Sequence, residues 1–115
     1  MNSKELVKKI CKILSDKKGE NIVKIDVTGK TSVADYFVIA TGGSVPHVKS
    51  LCEHLEEELE KDGVFALRRE GVREGRWACI DFGEVIVHVF NDESRLFYHL
   101  ETLWAEQDNL ENVKF

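Results

Sequence analysis

The stretch Tyr36-Phe37-Val38-Ile39-Ala40-Thr41 constrains this chain more than any other segment, because consecutive positions offer almost nothing to water. Strand side chains alternate between faces, so an apolar run that does not alternate describes a strand covered on both. Asp35 bounds the run on one side and Gly42-Gly43 on the other, which holds it to strand length. A fold built around it needs neighbouring strands on both edges and a layer of helix against at least one face.

The flanking segments supply those parts. Leu6, Ile10, Ile13 and Leu14 at helical spacing predict a helix over residues 3–17, with Asn2 and Glu5 forming a capping box and Gly19 ending it. Over residues 22–27, Val23, Ile25 and Val27 alternate with Lys24 and Asp26, the pattern of a half-exposed strand. Beyond the central strand, Ser44 can cap a second helix, Pro46 suits its first turn, and Val48, Leu51, Cys52, Leu55 and Leu59 make one apolar stripe before Gly63. Strands are expected over 64–69, 77–82 and 85–90, the last two as a hairpin turning at Gly83-Glu84, with a polar glycine-containing loop over 70–76. Asn91-Asp92 can cap a final helical stretch carrying Leu96, Leu100, Leu103 and Trp104, and residues 105–115 read as a frayed tail. The order α-β-β-α-β-β-β-α describes an α/β chain of the α+β two-layer type, with a mixed sheet of roughly five strands.

With 115 residues, 43% of them hydrophobic, 32% charged and only one proline, the chain suits a single folded domain spanning 1–115. Met1 to Glu5 has no apolar signal-peptide core and no run reaches membrane-spanning length, so a soluble cytoplasmic protein with no membrane partner is expected. Cys11, Cys52 and Cys79 are odd in number and lack CxxC spacing, as fits reduced, mostly buried thiols. The formal net charge of −5 is uneven: residues 1–30 carry +4, residues 53–62 carry −5 and residues 92–115 carry −4. Such a balance argues against nucleic-acid binding through bulk charge, and no direct sequence-specific nucleic-acid binding is expected.

The most informative constellation lies in the hairpin. Its turn allows Trp77 to stand opposite either His88 or Phe90, and both registers give the same two faces. Ala78, Ile80, Phe82, Val85, Val87 and Val89 make a uniformly apolar face that should pack beneath the helices. The other gathers Trp77, Cys79, Asp81, Ile86, His88 and Phe90, large aromatics mixed with titratable groups, which suits a protein interface. The competing reading is a face covered by the final helix, with Asp81 and His88 bonding each other or backbone, and the pattern favours the interface over it. In that final stretch Arg95 and Tyr98 fall off the leucine stripe and are candidates for outward contacts.

Enzymatic readings find less support. Gly42-Gly43-Ser44 between strand and helix resembles the glycine-serine turn of nucleotidyltransferases, but metal-assisted nucleotidyl transfer needs closely paired carboxylates. Residues 64–69 contain no acid and Asp81 has no DxD partner, so the turn is read as ordinary strand-to-helix chemistry. His47, His54, His88 and His99 show neither HxxxH nor HExxH spacing, and His47 and His54 are expected on the surface. No GxSxG elbow, Walker loop or complete GxGxxG occurs. No catalytic residue, metal site or cofactor is assigned.

Several blocks together resemble one family. Asp35 to Gly42, Ser44 with His47-Val48, Glu70-Gly71 to Trp77, Asp81-Phe82-Gly83, Val87 to Phe90, Arg95 to Tyr98 and Leu100-Glu101 with Leu103-Trp104 are similar to the Iojap, or ribosomal silencing factor, family, nearly end to end. The resemblance implies a nucleotidyltransferase-like fold without the catalytic carboxylates, and a non-enzymatic translation repressor. It implies docking on the large ribosomal subunit through its protein number fourteen, steric blocking of small-subunit joining when nutrients are short, and a homodimer when free. By the same resemblance the contact surface includes Trp77, Asp81, His88 and Tyr98, with Phe90 and Arg95 nearby. A nucleotidyltransferase-like enzyme and a dimeric adaptor without anti-association activity are the competing readings.

Overall fold

The apolar run becomes β2 (Tyr36–Gly42), and every residue in it is buried. The computed structural model describes residues 1–92 and 109–113. Ahead of β2 come α1 (Ser3–Asp16) and β1 (Glu20–Asp26), and behind it α2 (Val45–Glu60), β3 (Arg68–Glu70), β4 (Trp77–Asp81), β5 (Val85–Asn91) and β6 (Leu110–Asn112). The strands form one sheet in the order β3-β4-β5-β2-β1-β6. β2 and β5 run parallel and the other neighbours antiparallel, so the sheet is mixed, as expected.

Local chemistry explains the helix ends. Asn2 caps α1 by accepting the Glu5 N–H at 2.9 Å, and the Ser44 hydroxyl accepts the His47 N–H at 3.2 Å to open α2. The α1 exit differs from expectation in detail. The left-handed residue is Lys18, with φ of 63°, while Gly19 is required for close approach, since a Cβ there would lie 2.9 Å from the Leu14 carbonyl oxygen. The Gly19 N–H donates to that same oxygen at 2.8 Å.

Helices α1 and α2 lie on one face of the sheet. Leu6, Val7, Ile10 and Leu14 of α1 and Val48, Leu51, Leu55 and Leu59 of α2 form one core with Val38, Ala40, Ala78, Ile80, Phe82, Val85, Val87 and Val89. The uniformly apolar hairpin face therefore packs beneath the helices, as its pattern predicted. On the opposite face Val23, Ile25, Val27, Phe37, Ile39, Ile86 and Phe90 make a second buried cluster. Ordinary strand alternation sends the adjacent Ile22 and Val23 into different clusters, and the register of β1 on β2 shifts between Glu20 and Val23, where Asn21 has φ of 48°. No helix among the described residues is long and apolar enough to cross a membrane.

Three expectations need correction. The strand expected over 64–69 is the shorter edge strand β3, because Val64 and Ala66 pack on the helix-side core while Phe65 and Leu67 face solvent, an alternation made by a loop and not by a ladder. Among the described residues the sheet has six strands where roughly five were expected, and part of the expected frayed tail supplies the sixth. Leu110–Asn112 pairs with β1 through backbone bonds, supported by Lys24–Glu111 at 2.9 Å and by the Val113 N–H on the Ile22 carbonyl at 2.8 Å. Backbone pairing of a polar segment leaves little mark on side-chain pattern. The final helix expected after Asp92, with Arg95, Tyr98, Leu100 and Trp104, lies outside the described residues.

The β3–β4 connection is held closely. Gly71 has φ of 74° and a Cβ there would collide with the Trp77 carbonyl oxygen, while a Cβ at Gly75 would lie 2.6 Å from Val45 Cγ1. Gly63, with φ of 77°, has nothing within 4 Å. Gly63→Ala should therefore cost only the backbone strain, about 1 kcal/mol, whereas Gly71→Ala adds a steric clash and should cost about 3 kcal/mol or more. Urea midpoints of the two variants check this, and equal shifts would contradict it.

Candidate partner-binding face

The mixed face depends on how β4 and β5 pair. Trp77 stands opposite Phe90, Cys79 opposite His88 and Asp81 opposite Ile86, which selects one of the two registers open from sequence. A two-residue turn sets this register: the Phe82 N–H donates to the Val85 carbonyl at 3.0 Å, and Gly83 takes φ of 92° between them. Asp81 reinforces the turn by accepting the Gly83 N–H at 2.7 Å. Asp81 and His88 do not bond each other; Asp81 serves the turn and His88 serves the aromatic cluster.

Within that cluster the Trp77 indole N–H donates to His88 Nδ1 at 3.0 Å. The acceptor role of Nδ1 puts the proton of the neutral ring on Nε2, so His88 can offer a partner one directional donor. Trp77 stacks on Phe90 with centroids 5.4 Å apart and planes 17° apart, and the ring of Phe37 on neighbouring β2 meets His88 edge to face at 6.1 Å. Phe90 is 1% exposed and backs Trp77 from beneath, while Trp77, Asp81 and His88 are half-buried. Burial pushes the His88 imidazole down from 6.5 to about 4, so the ring is neutral at physiological pH.

Cys79 lies between Trp77 and Asp81 on the same face, half-buried, and burial followed by the nearby Glu70 and Asp81 carboxylates raises its thiol. A thiol so placed is a poor nucleophile. Burial pushes Cys11 and Cys52 up to about 12, as fits core thiols. Arg95 and Tyr98 lie outside the described residues. The structure therefore brings Trp77, Asp81, His88 and Phe90 onto one face.

The Gly42-Gly43-Ser44 turn is occupied by internal contacts. The Gly43 N–H donates to His47 Nδ1 at 3.0 Å, and His47 Nε2 meets the Lys17 carbonyl at 2.9 Å. His47, expected on the surface, is half-buried and ties the α1 exit to the α2 entry. Sequence could not reveal that role, because its two partners lie on opposite sides of β1 and β2. Elsewhere a groove of about 610 Å³ opens beside β1 and β6, lined by Lys24, Asp26, Lys30, Tyr36 and Glu111. Its lining is polar and Lys24 is engaged by Glu111, so it lacks the apolar walls of a small-molecule site. Among the described residues no three His, Cys, Asp or Glu side chains converge as metal ligands.

The His88 shift sets a pH dependence. The unfolded ring takes up a proton as pH falls through 6.5, while the folded ring resists until about 4. The unfolded state thus binds more protons within that window, and stability contributed by neutral His88 is present above it and lost as pH falls. The loss should be on the order of 3 kcal/mol. An NMR titration of the imidazole protons should place the His88 midpoint near 4; a midpoint at 6.5 would contradict the buried neutral ring.

Similarity to known proteins agrees with the resemblance seen in the sequence. Residues 1–114 match the family described as "Ribosomal silencing factor during starvation". The ribosomal silencing factor RsfS of Bacillus subtilis is 36% identical over 106 residues, covering 92% of this chain and 90% of that protein. The mouse protein named "Mitochondrial assembly of ribosomal large subunit protein 1" is 30% identical over 96 residues, 81% of this chain and 42% of its own length. A crystal structure from Chromobacterium violaceum superposes with a TM-score of 0.89 at 33% identity, covering 99% of this chain and 95% of that one. With a family match over nearly every residue and a fold shared at that level, this chain belongs to the ribosomal silencing factor family.

Proposed function

We propose that this chain is a cytoplasmic translation repressor that docks on the large ribosomal subunit through the Trp77, Asp81 and His88 face and thereby blocks joining of the small subunit. The observation that carries this reading is the indole-to-imidazole hydrogen bond at 3.0 Å on a face away from the helices. It holds a large aromatic surface and a neutral directional donor in fixed relation before any partner arrives, which lowers the ordering cost of binding. Family membership supports the ribosome as the target, and the mouse relative's name supports the large subunit. The partner we propose there is ribosomal protein number fourteen.

Blocking requires occupancy and no reaction. Trp77 supplies desolvated area, Asp81 and His88 supply orientation, and the body of the domain fills space that the small subunit needs. Arg95 and Tyr98 are proposed to extend the contact. We further propose that the free chain forms a homodimer through the same face, so that self-association and docking compete.

Light scattering of subunit association, run beside co-sedimentation with isolated large subunits, tests this directly. Wild type should slow association, and Trp77→Ala should weaken large-subunit binding at least about tenfold, as expected when a central interface aromatic is truncated. Binding without slowed association would sink the silencing role; unchanged binding by Trp77→Ala would sink the proposed face. Sedimentation equilibrium should show weaker self-association for the same variant, and an intact dimer would separate the two interfaces.

A further inference from the structure

Four of the five arginines, Arg68, Arg69, Arg73 and Arg76, fall within nine residues of an otherwise lysine-rich and net acidic chain. They occupy β3 and the loop leading to β4, and all four are exposed. Their directions differ. Arg68 pairs in register with Asp81 and Arg69 with Ile80, so Arg68 shares the face of Asp81 and Trp77 while Arg69 turns to the helix side and contacts Glu56 at 3.2 Å. Arg68, Arg73 and Arg76 make no ion pair among the described residues. Glu70 and Glu74 in the same segment keep the local charge excess small, so any recognition here must come from individual guanidinium groups carried on a held backbone.

The backbone that carries them is braced. Val72 is buried, the Gly75 N–H closes the turn on the Gly71 carbonyl at 3.0 Å, and the Arg76 carbonyl accepts the Asn91 N–H at 3.0 Å beside Trp77. Next to the arginines, Phe65 is 61% and Leu67 73% exposed, whereas most other large apolar side chains among the described residues are buried. Guanidinium groups bind phosphate oxygens through paired donors, and an exposed aromatic ring can stack an unpaired base.

Resting on the proposed docking to the large subunit, we propose that this sheet edge is an RNA-binding rim. Arg68, Arg73 and Arg76 hold the phosphate backbone of ribosomal RNA, and Phe65 stacks on a neighbouring base, while the Trp77 face engages protein. The contact reads backbone and base planes and not sequence. It makes docking a two-material recognition, in which the aromatic face selects the protein and the arginine rim fixes orientation on the surrounding RNA.

The test titrates wild type, Arg68→Gln/Arg73→Gln/Arg76→Gln and Phe65→Ala against deproteinised large-subunit RNA and against intact bacterial large subunits, across a range of potassium chloride. All the substituted residues are exposed, and matching urea midpoints confirm that the variants fold. Wild type should bind the RNA with log K falling linearly in log salt. The triple variant should bind at least about tenfold more weakly, with a slope shallower by about 2 to 3, one unit per lost phosphate contact. Phe65→Ala should lose several-fold affinity with the slope unchanged. Equal affinity and slope for wild type and triple variant on both targets would overturn the rim, as would poly-glutamate competing as well as RNA. Failure of wild type to bind intact subunits while still binding RNA through these arginines would remove the docking reading and leave the rim standing.

Discussion

The parallel pairing of β2 with β5 is the constraint on which the rest of the structure depends. Seven residue pairs, from Tyr36 opposite Val85 to Gly42 opposite Asn91, join strands that sequence separates by more than forty residues. Parallel neighbours cannot be joined by a tight turn, so the chain must cross over, and α2 is the crossover that covers the sheet. Once β5 lies beside β2, the β4–β5 hairpin can only extend outward from it. That geometry takes Ala78, Ile80, Val87 and Val89 under the helices and leaves Trp77, Asp81 and His88 on the other side.

The side of the sheet opposite α1 and α2 solves a problem of polarity. A histidine among aromatic rings would be costly if charged, and the fold keeps it neutral by burial and by giving Nδ1 the indole N–H. One bond thereby satisfies two polar groups and sets the angle of the Trp77 ring over Phe90. A partner meeting this face would encounter rings already fixed in orientation. The neighbouring edge has a different character, with guanidinium groups on a glycine-braced loop, so an aromatic face and a basic edge adjoin without mixing.

Much of this was legible in the chain because the informative signals are local. Helix stripes, the Asn2 and Ser44 caps, the two-faced hairpin and the turn at Gly83 each lie within a few residues, and the structure has them all. The β6 pairing was hidden because the short Leu110–Asn112, with one apolar side chain, joins the sheet largely through backbone groups that every residue possesses. His47 was misread for a similar reason: its partners, Gly43 and Lys17, come from two turns that only the folded sheet brings together. The strand expected over 64–69 failed because alternation can arise from a loop with one side on the core.

Sequence by itself determined α1, α2, the covered central strand, the β4–β5 hairpin with the composition of both its faces and, through combined motifs, the family. It could do so because periodicity and turn chemistry are properties of adjacent residues. Only the tertiary structure decided the Trp77–Phe90 register, the proton position on His88, the separate duties of Asp81 and His88, and the alignment of Arg68 with the Trp77 face. Those outcomes depend on distances between strands and on burial, which arise only when remote segments are packed together.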